Sequence, residues 1–246
     1  MLRSLVAALL TLTLFAGSAL AADKTYIVAS DATWPPMEFL DANKMVMGYS
    51  TDYINAIAKE MNIKVEVRNI AWDGIFAGVA AGNYDIIASS VTITPERQKQ
   101  FGFSDPYCAI HQALVVRADS GIKELSATKG KKVGGQIGTT GIFVMEKAKT
   151  GAEIKEYEDV GLAMEDLANG RIDAVMCDDP IAKYYANKKE NFANKFKVAL
   201  TTPEVEYYGF TVKKGNDELI KLINAGIKIV REKGIEKELQ KKWMGE

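Results

Sequence analysis

Three groups of side chains in this sequence can do chemistry together. The first is Ser89, Ser90 and Thr92 followed by Arg97, the second is Gln136 with Thr139 and Thr140, and the third is Asp178. Thr94 has the side chain of an N-cap, Pro95 suits the first helical position and Glu96 the first turn, so a helix is predicted to begin there. Arg97 then stands where backbone N–H groups favour an anion, and its planar fork matches a carboxylate. Taken alone, the stretch fits an ordinary capped helix with a surface arginine equally well. Gly138 and Gly141 bracket the two threonines in what reads as a strand-to-helix turn, able to receive an anion or simply to start a helix. Asp178 offers the opposite charge to Arg97. A cation and an anion on separate segments match the two ends of a zwitterion.

Those groups need elements to hold them. The spacing predicts strands over 26–29, 64–67, 84–88, 132–135 and 172–176, and helices over 50–61, 72–81, 141–149 and 161–168. Alternation of this kind implies an α/β fold with largely parallel sheets. Two passages resemble one another. A helix ends at Gly82 or Gly170, a short step ends at Asp85 or Asp173, an apolar strand follows, and polar residues close it, Ser89-Ser90 in one and Asp178-Asp179 in the other. Two similar lobes with polar loops at the carboxyl ends of strands predict a cleft between them, because that edge is where open α/β sheets bind ligands. Residues 216–243 read as one amphipathic helical stretch, with Gly226 and Gly234 as its candidate breaks.

Composition narrows the class. Over 246 residues, 31 Lys and Arg stand against 32 Asp and Glu, which argues against a nucleic-acid partner, since that calls for a clearly basic face. Arg3, an apolar run from Leu5 to Ala16 and the small residues up to Ala21 read as a cleavable secretory signal peptide over 1–21, too short to span a membrane. His111 is the only histidine and nothing clusters round it, so no metal is expected and a structural role fits it. Cys108 and Cys177 are the only cysteines; two buried thiols are the expectation.

Several motifs in order carry a specific resemblance. They are Asp31 through Trp34 to Phe39, Trp72 to Ile75, Ser89 to Arg97, Phe103 to Tyr107, Lys129 to Thr140, Gly170 to Asp173, and the closing Lys241 to Trp243. Together they cover the chain after the leader, and the sequence resembles the family 3 extracellular solute-binding proteins, the amino-acid-binding components of ABC importers. The resemblance implies a two-lobed type II periplasmic-binding-protein fold, with each lobe a mainly parallel sheet flanked by helices. Lobe one would be 22–110 and 208–246, lobe two 111–207, and the hinges would lie near 108–110 and 206–208.

The resemblance also implies roles. Arg97, with a Thr140 or Thr139 N–H, would bind an α-carboxylate; Asp178, with the Ser90 carbonyl and the Thr92 hydroxyl beside Ser89, would bind an α-ammonium. Trp34 and Trp72 match positions that pack on the ligand's carbon chain. Asp31, Gln136 and Cys177 match positions facing its side chain. Ser50 departs from the family pattern, which often has an acid there. These features favour a polar amino acid, uncharged or basic. The expected partners are that free amino acid and a membrane permease. The expected form is a periplasmic monomer without cofactor or enzymatic activity. The rival is a periplasmic dehydratase of cyclohexadienyl, prephenate-like carboxylates on the same scaffold, which needs a proton donor over the reacting carbon.

Overall fold

The computed structural model describes residues 24–192 and 194–245. The leader expected over 1–21 lies outside the described residues.

Two five-stranded sheets are built on one plan. The first runs in the order Lys64–Asn69, Thr25–Ser30, Ile86–Ile87, Thr211–Lys213, Phe101–Phe103. The second runs Glu153–Tyr157, Lys132–Gln136, Ala174–Asp178, Gln112–Arg117, Phe196–Thr201. In each, the first three strands are parallel and the fourth runs against both of its neighbours. Parallel neighbours need crossovers. Helices Tyr49–Glu60 and Trp72–Ala81 supply them in the first sheet, Thr140–Ala148 and Val160–Ala168 in the second.

The sequence repeat has a physical cause. Asp85 Oδ2 accepts the Ile27 N–H at 2.9 Å, and Asp173 Oδ2 accepts the Lys132 N–H at 2.9 Å. In both halves the aspartate that precedes the apolar strand ties it to the parallel strand beside it.

The chain crosses between the sheets through Cys108–Ile110 and Glu206–Tyr208, which pair antiparallel with Cys108 opposite Tyr208. A three-stranded sheet of Thr33–Trp34, Glu38–Leu40 and Val46–Met47, not anticipated from the sequence, packs against the helix Tyr49–Glu60. The buried rings of Tyr49, Tyr53, Tyr107, Tyr208 and Phe210 form one cluster, with Tyr107 and Phe210 stacked at 4.2 Å.

The C-terminal stretch is two helices, Asp217–Glu232 and Ile235–Trp243. Asn216 caps the first, accepting the Leu219 N–H at 3.4 Å. The break falls at Gly234, whose φ of 74° suits glycine. Gly226 breaks nothing. It sits inside the first helix, where an added Cβ would stand 2.5 Å from Ile57 Cγ2, so its smallness serves close packing on the Tyr49–Glu60 helix. Leu219, Ile223, Ile227 and Val230 form the buried stripe of that contact. Each such side chain contributes roughly 1.5–3 kcal/mol by leaving water.

Candidate functional site

One small cavity lies between the two sheets. Its walls include Asp31, Trp34, Trp72, Ser89, Ser90, Thr92, Arg97, Gln136, Thr139, Thr140 and Asp178, together with Glu38. The structure therefore gathers every residue assigned to the site from sequence. Cys177 is the exception among those weighed. It packs in the core, where burial pushes its thiol pKa up, and it does not line the cavity.

Local geometry explains each placement. Thr94 Oγ1 accepts the Arg97 N–H at 3.2 Å and caps the helix Pro95–Gln100. Arg97 reaches back from that helix: Nη1 donates to Thr92 O at 2.9 Å and Nη2 to Gly138 O at 3.0 Å. Its guanidinium stands 5.7 Å from the Trp72 ring and 5.3 Å from that of Phe76, a cation–π cradle. Burial lowers its pKa to about 10, with Asp178 and Glu206 acting against that, so it stays charged at neutral pH. Ser90 adopts a φ of 48°, uncommon outside glycine. Ser89 is fixed otherwise: its hydroxyl accepts the Asp31 N–H at 2.8 Å.

On the facing wall, Thr139 donates both its N–H and its hydroxyl to Gln136 O, at 3.3 and 2.7 Å. Thr140 opens the helix Thr140–Ala148, in the first turn whose N–H groups have no intrahelical acceptor. Of the two threonines, Thr140 is thus the one placed to offer a backbone N–H to an anion.

Asp178 ends the central strand of the second sheet and is 4% exposed. Its carboxyl receives Gln112 Nε2 at 2.5 Å, Trp34 Nε1 at 3.2 Å and the Tyr208 hydroxyl. Burial pushes its pKa up to about 6 while those donors pull it down. Asp31, also buried, is raised for the same reason, against donors on Gln136 and Thr33.

Several bonds cross the cavity from one sheet's residues to the other's. Trp72 Nε1 donates to Ile137 O at 3.0 Å, Gln136 Nε2 to Asp31 Oδ2 at 2.9 Å, and the Thr92 and Thr140 hydroxyls lie 3.3 Å apart. With Arg97–Gly138 and Trp34–Asp178 they hold the two walls together. Among the described residues no group of three or more His, Cys, Asp or Glu is placed to hold a metal. His111 lies outside the cavity, its Nδ1 2.9 Å from Glu204 O.

Bacterial extracellular solute-binding proteins, family 3, match residues 26–246 as a family. The chain belongs to that family. Among its members, the probable histidine-binding protein of Neisseria gonorrhoeae is 36% identical over 216 residues, 86% of this chain and 80% of that one. A solved ancestral arginine-binding protein bound to glutamine is 37% identical, with a TM-score of 0.85 over 90% of this chain and 98% of that one. An ancestral amino acid-binding protein described as a precursor of cyclohexadienyl dehydratase is 34% identical, with a TM-score of 0.82 over 89% of this chain and 95% of that one. As a family 3 protein, the chain has the two-lobed type II fold.

Sequence reasoning passed over Glu38, Gln112 and Tyr208. Glu38 lies inside the Asp31 to Phe39 motif, and its neighbours Pro35 and Pro36 were the available sign that this stretch is not an ordinary solvated loop. Gln112 and Tyr208 carry no local signal; Gln112 comes to Asp178 by antiparallel strand pairing within the second sheet, where the two are direct partners, and Tyr208 comes from the second crossing strand.

Proposed function

We propose that this protein is an extracytoplasmic receptor that binds one polar amino acid, uncharged or basic, between its lobes and delivers it to an ABC importer. One observation carries the reading: a guanidinium from the first half and a carboxyl from the second face one small cavity whose remaining walls are hydroxyls, the Gln136 amide, two indoles and the carboxyls of Asp31 and Glu38. The ligand's α-carboxylate takes the Arg97 fork and the Thr140 N–H. Its α-ammonium takes Asp178, with Ser90 O and Thr92 Oγ1 as further acceptors. Trp34 and Trp72 pack on its carbon chain, while Asp31 and Gln136 face its side chain.

Lobe one comprises 22–110 and 208–246, lobe two 111–207, with the crossing strands as hinges. Opening separates the bonds that cross the cavity, and a ligand bridging Arg97 and Asp178 restores the closed form. The protein works as a periplasmic monomer after loss of the 1–21 leader. A membrane permease recognises the closed lobes.

The dehydratase rival has three acids, Asp31, Glu38 and Asp178, in the cavity, but an acid opposite Arg97 suits an ammonium better than a prephenate-like dianion. Thermal unfolding of refolded, ligand-stripped protein against each common amino acid at ~1 mM tests the reading. A micromolar ligand at that concentration stabilises by about 4 kcal/mol. For a chain of this size that is roughly 8–16 °C. No shift with any amino acid sinks the receptor; turnover of prephenate in the same preparation would install the enzyme.

A further inference from the structure

A second cavity, of about 160 Å3, lies at a seam between the two halves of the molecule, and the contacts assigned above leave it unused. The half with the first sheet gives it Pro36 and Trp243; the other gives it Pro180, Lys183, Tyr184 and Lys188. The two prolines lie two residues beyond the partners of one bond, Trp34 Nε1 to Asp178 Oδ2 at 3.2 Å. The seam therefore leads off from the wall of the central cavity, yet the two cavities share no lining residue.

Its aromatic walls are fixed before anything enters. Trp243 Nε1 donates to Asp52 Oδ2 at 2.8 Å, which holds the indole against the helix Tyr49–Glu60. Phe39 joins the two walls, edge-on to Trp243 at 5.7 Å and 6.4 Å from the Tyr184 ring. Tyr185 braces Tyr184 in turn, edge-on at 5.7 Å. An apolar cavity of ~150 Å3 is enough to hold benzene, so this space takes one six-membered ring. Walls made of fixed rings favour a flat occupant, which can stack on them or meet them edge to face.

Charge decides what that ring carries. The lining has two ammonium groups and no carboxyl. Lys183 pairs with Asp179 at 2.7 Å, one turn back on its own helix. Lys188 has no acid beside it among the described residues: its Nζ meets the Trp243 carbonyl, at 3.4 Å. A bond of that length to a neutral oxygen is weak. One ammonium beside ring walls matches a flat ring bearing a single carboxylate.

We propose that this seam is a second ligand site, for a small aromatic monocarboxylate, and that its occupant clamps the two halves together. The ring lies between Trp243 and Tyr184, and the carboxylate pairs with Lys188, which exchanges a long bond to a carbonyl for a charge-assisted one. Each half supplies part of the site, so the ligand binds where the halves meet and favours the closed form. It does this without touching Arg97 or Asp178. The clamp rests on the hinge reading above; the site itself does not.

Calorimetric titration of the wild-type protein at pH 7 and low salt tests the site, with benzoate as the probe and benzamide and acetate as controls. Benzoate should bind one per chain, at least tenfold more tightly than either control. Lys188→Ala should weaken it at least fivefold and Lys188→Arg should restore most of the loss; Lys188 is exposed, so neither change threatens the fold. Equal binding of benzamide overturns the site, as does absence of benzoate binding at millimolar concentration. Lys188→Ala within twofold of wild type also overturns it, by placing the anion elsewhere. Hydrogen exchange tests the clamp. The Trp34 indole N–H, whose bond to Asp178 crosses between the halves, should exchange at least threefold more slowly in benzoate-saturated protein. Unchanged exchange with benzoate bound overturns the clamp. Neither measurement uses an amino acid, so the receptor reading stands or falls separately.

Discussion

The Tyr208 hydroxyl donates to Asp178 Oδ2, tying the strand by which the chain returns between the sheets to the acid at the end of the second sheet's central strand. Gln112, at the start of the strand that follows the other crossing, holds the second oxygen of the same carboxyl at 2.5 Å. Asp178 is therefore gripped from both crossing points, and on the receptor reading proposed above one group sets both closure and ammonium binding.

Tyr208→Phe tests that coupling. It removes one donor from a buried carboxylate at a cost of about 1–3 kcal/mol. The Asp178 pKa, now about 6, should rise further with that donor gone. Amino-acid affinity at pH 7 should fall on the order of tenfold, and the acid limb of the affinity–pH curve should move upward. Dissociation constants measured from pH 5 to 8 decide it. An unchanged midpoint with lower overall stability would reduce the bond to packing.

Asp178→Asn should separate stability from binding. Burial holds the folded carboxyl at about 6, above the ~3.9 of an unfolded aspartate. The folded chain keeps that proton more tightly, so this contribution to stability is present below pH ~4 and is lost as pH rises through 6. The variant escapes the loss. Without ligand it should be more stable than wild type at pH 8, by up to about 3 kcal/mol, with the difference fading at pH 4. Its ligand-induced thermal shift should disappear, since a neutral amide cannot match an ammonium. Urea titrations at the two pH values give the first result; equal curves at pH 8 would contradict it.

Arg97→Ala and Arg97→Lys address the other pole. Removing the partner of a desolvated, hydrogen-bonded charge costs on the order of 2–5 kcal/mol, mainly through faster dissociation. Lysine keeps the charge but not the fork, and it cannot hold Thr92 O and Gly138 O together as Nη1 and Nη2 do. Both variants should therefore lose most of the affinity, alanine more than lysine, in calorimetric titration. Binding within threefold of wild type in Arg97→Ala would move the carboxylate elsewhere.

What the sequence made legible was what local chemistry dictates. Thr94 and Pro95 marked a helix start, and Asp85 and Asp173 betrayed a repeat, because each has one geometric job wherever it stands. The cavity-lining residues were legible through motifs in order, not through their types alone. Glu38 stayed hidden because its burial depends on a short hairpin folding back over Ser50 and Ser90, a long-range event that leaves no periodicity. Tyr208 stayed hidden for the same reason, and Cys177 was misplaced by one strand position: its neighbour Asp178 faces the cavity, so Cys177 must point into the core.

Gly226 shows the same limit, and it yields a prediction independent of ligand. A glycine inside a helical pattern suggests a bend, yet here the helix Asp217–Glu232 runs through it, and the missing side chain lets the helix lie on Ile57 and Met61. Alanine has the better helix propensity, by about 1 kcal/mol. Its Cβ, however, would stand 2.5 Å from Ile57 Cγ2 and 3.1 Å from Met61 Cγ. Met61 is flexible and can give, but Ile57 is fully buried and β-branched, so the contact must be relieved by moving the helix. Overpacking of that kind costs about 1–3 kcal/mol and outweighs the propensity gain. Gly226→Ala should lower the urea midpoint with the slope unchanged, and should leave ligand affinity intact because the site lies on other elements. A midpoint at or above wild type would mean that propensity wins and that the two helices have room to part.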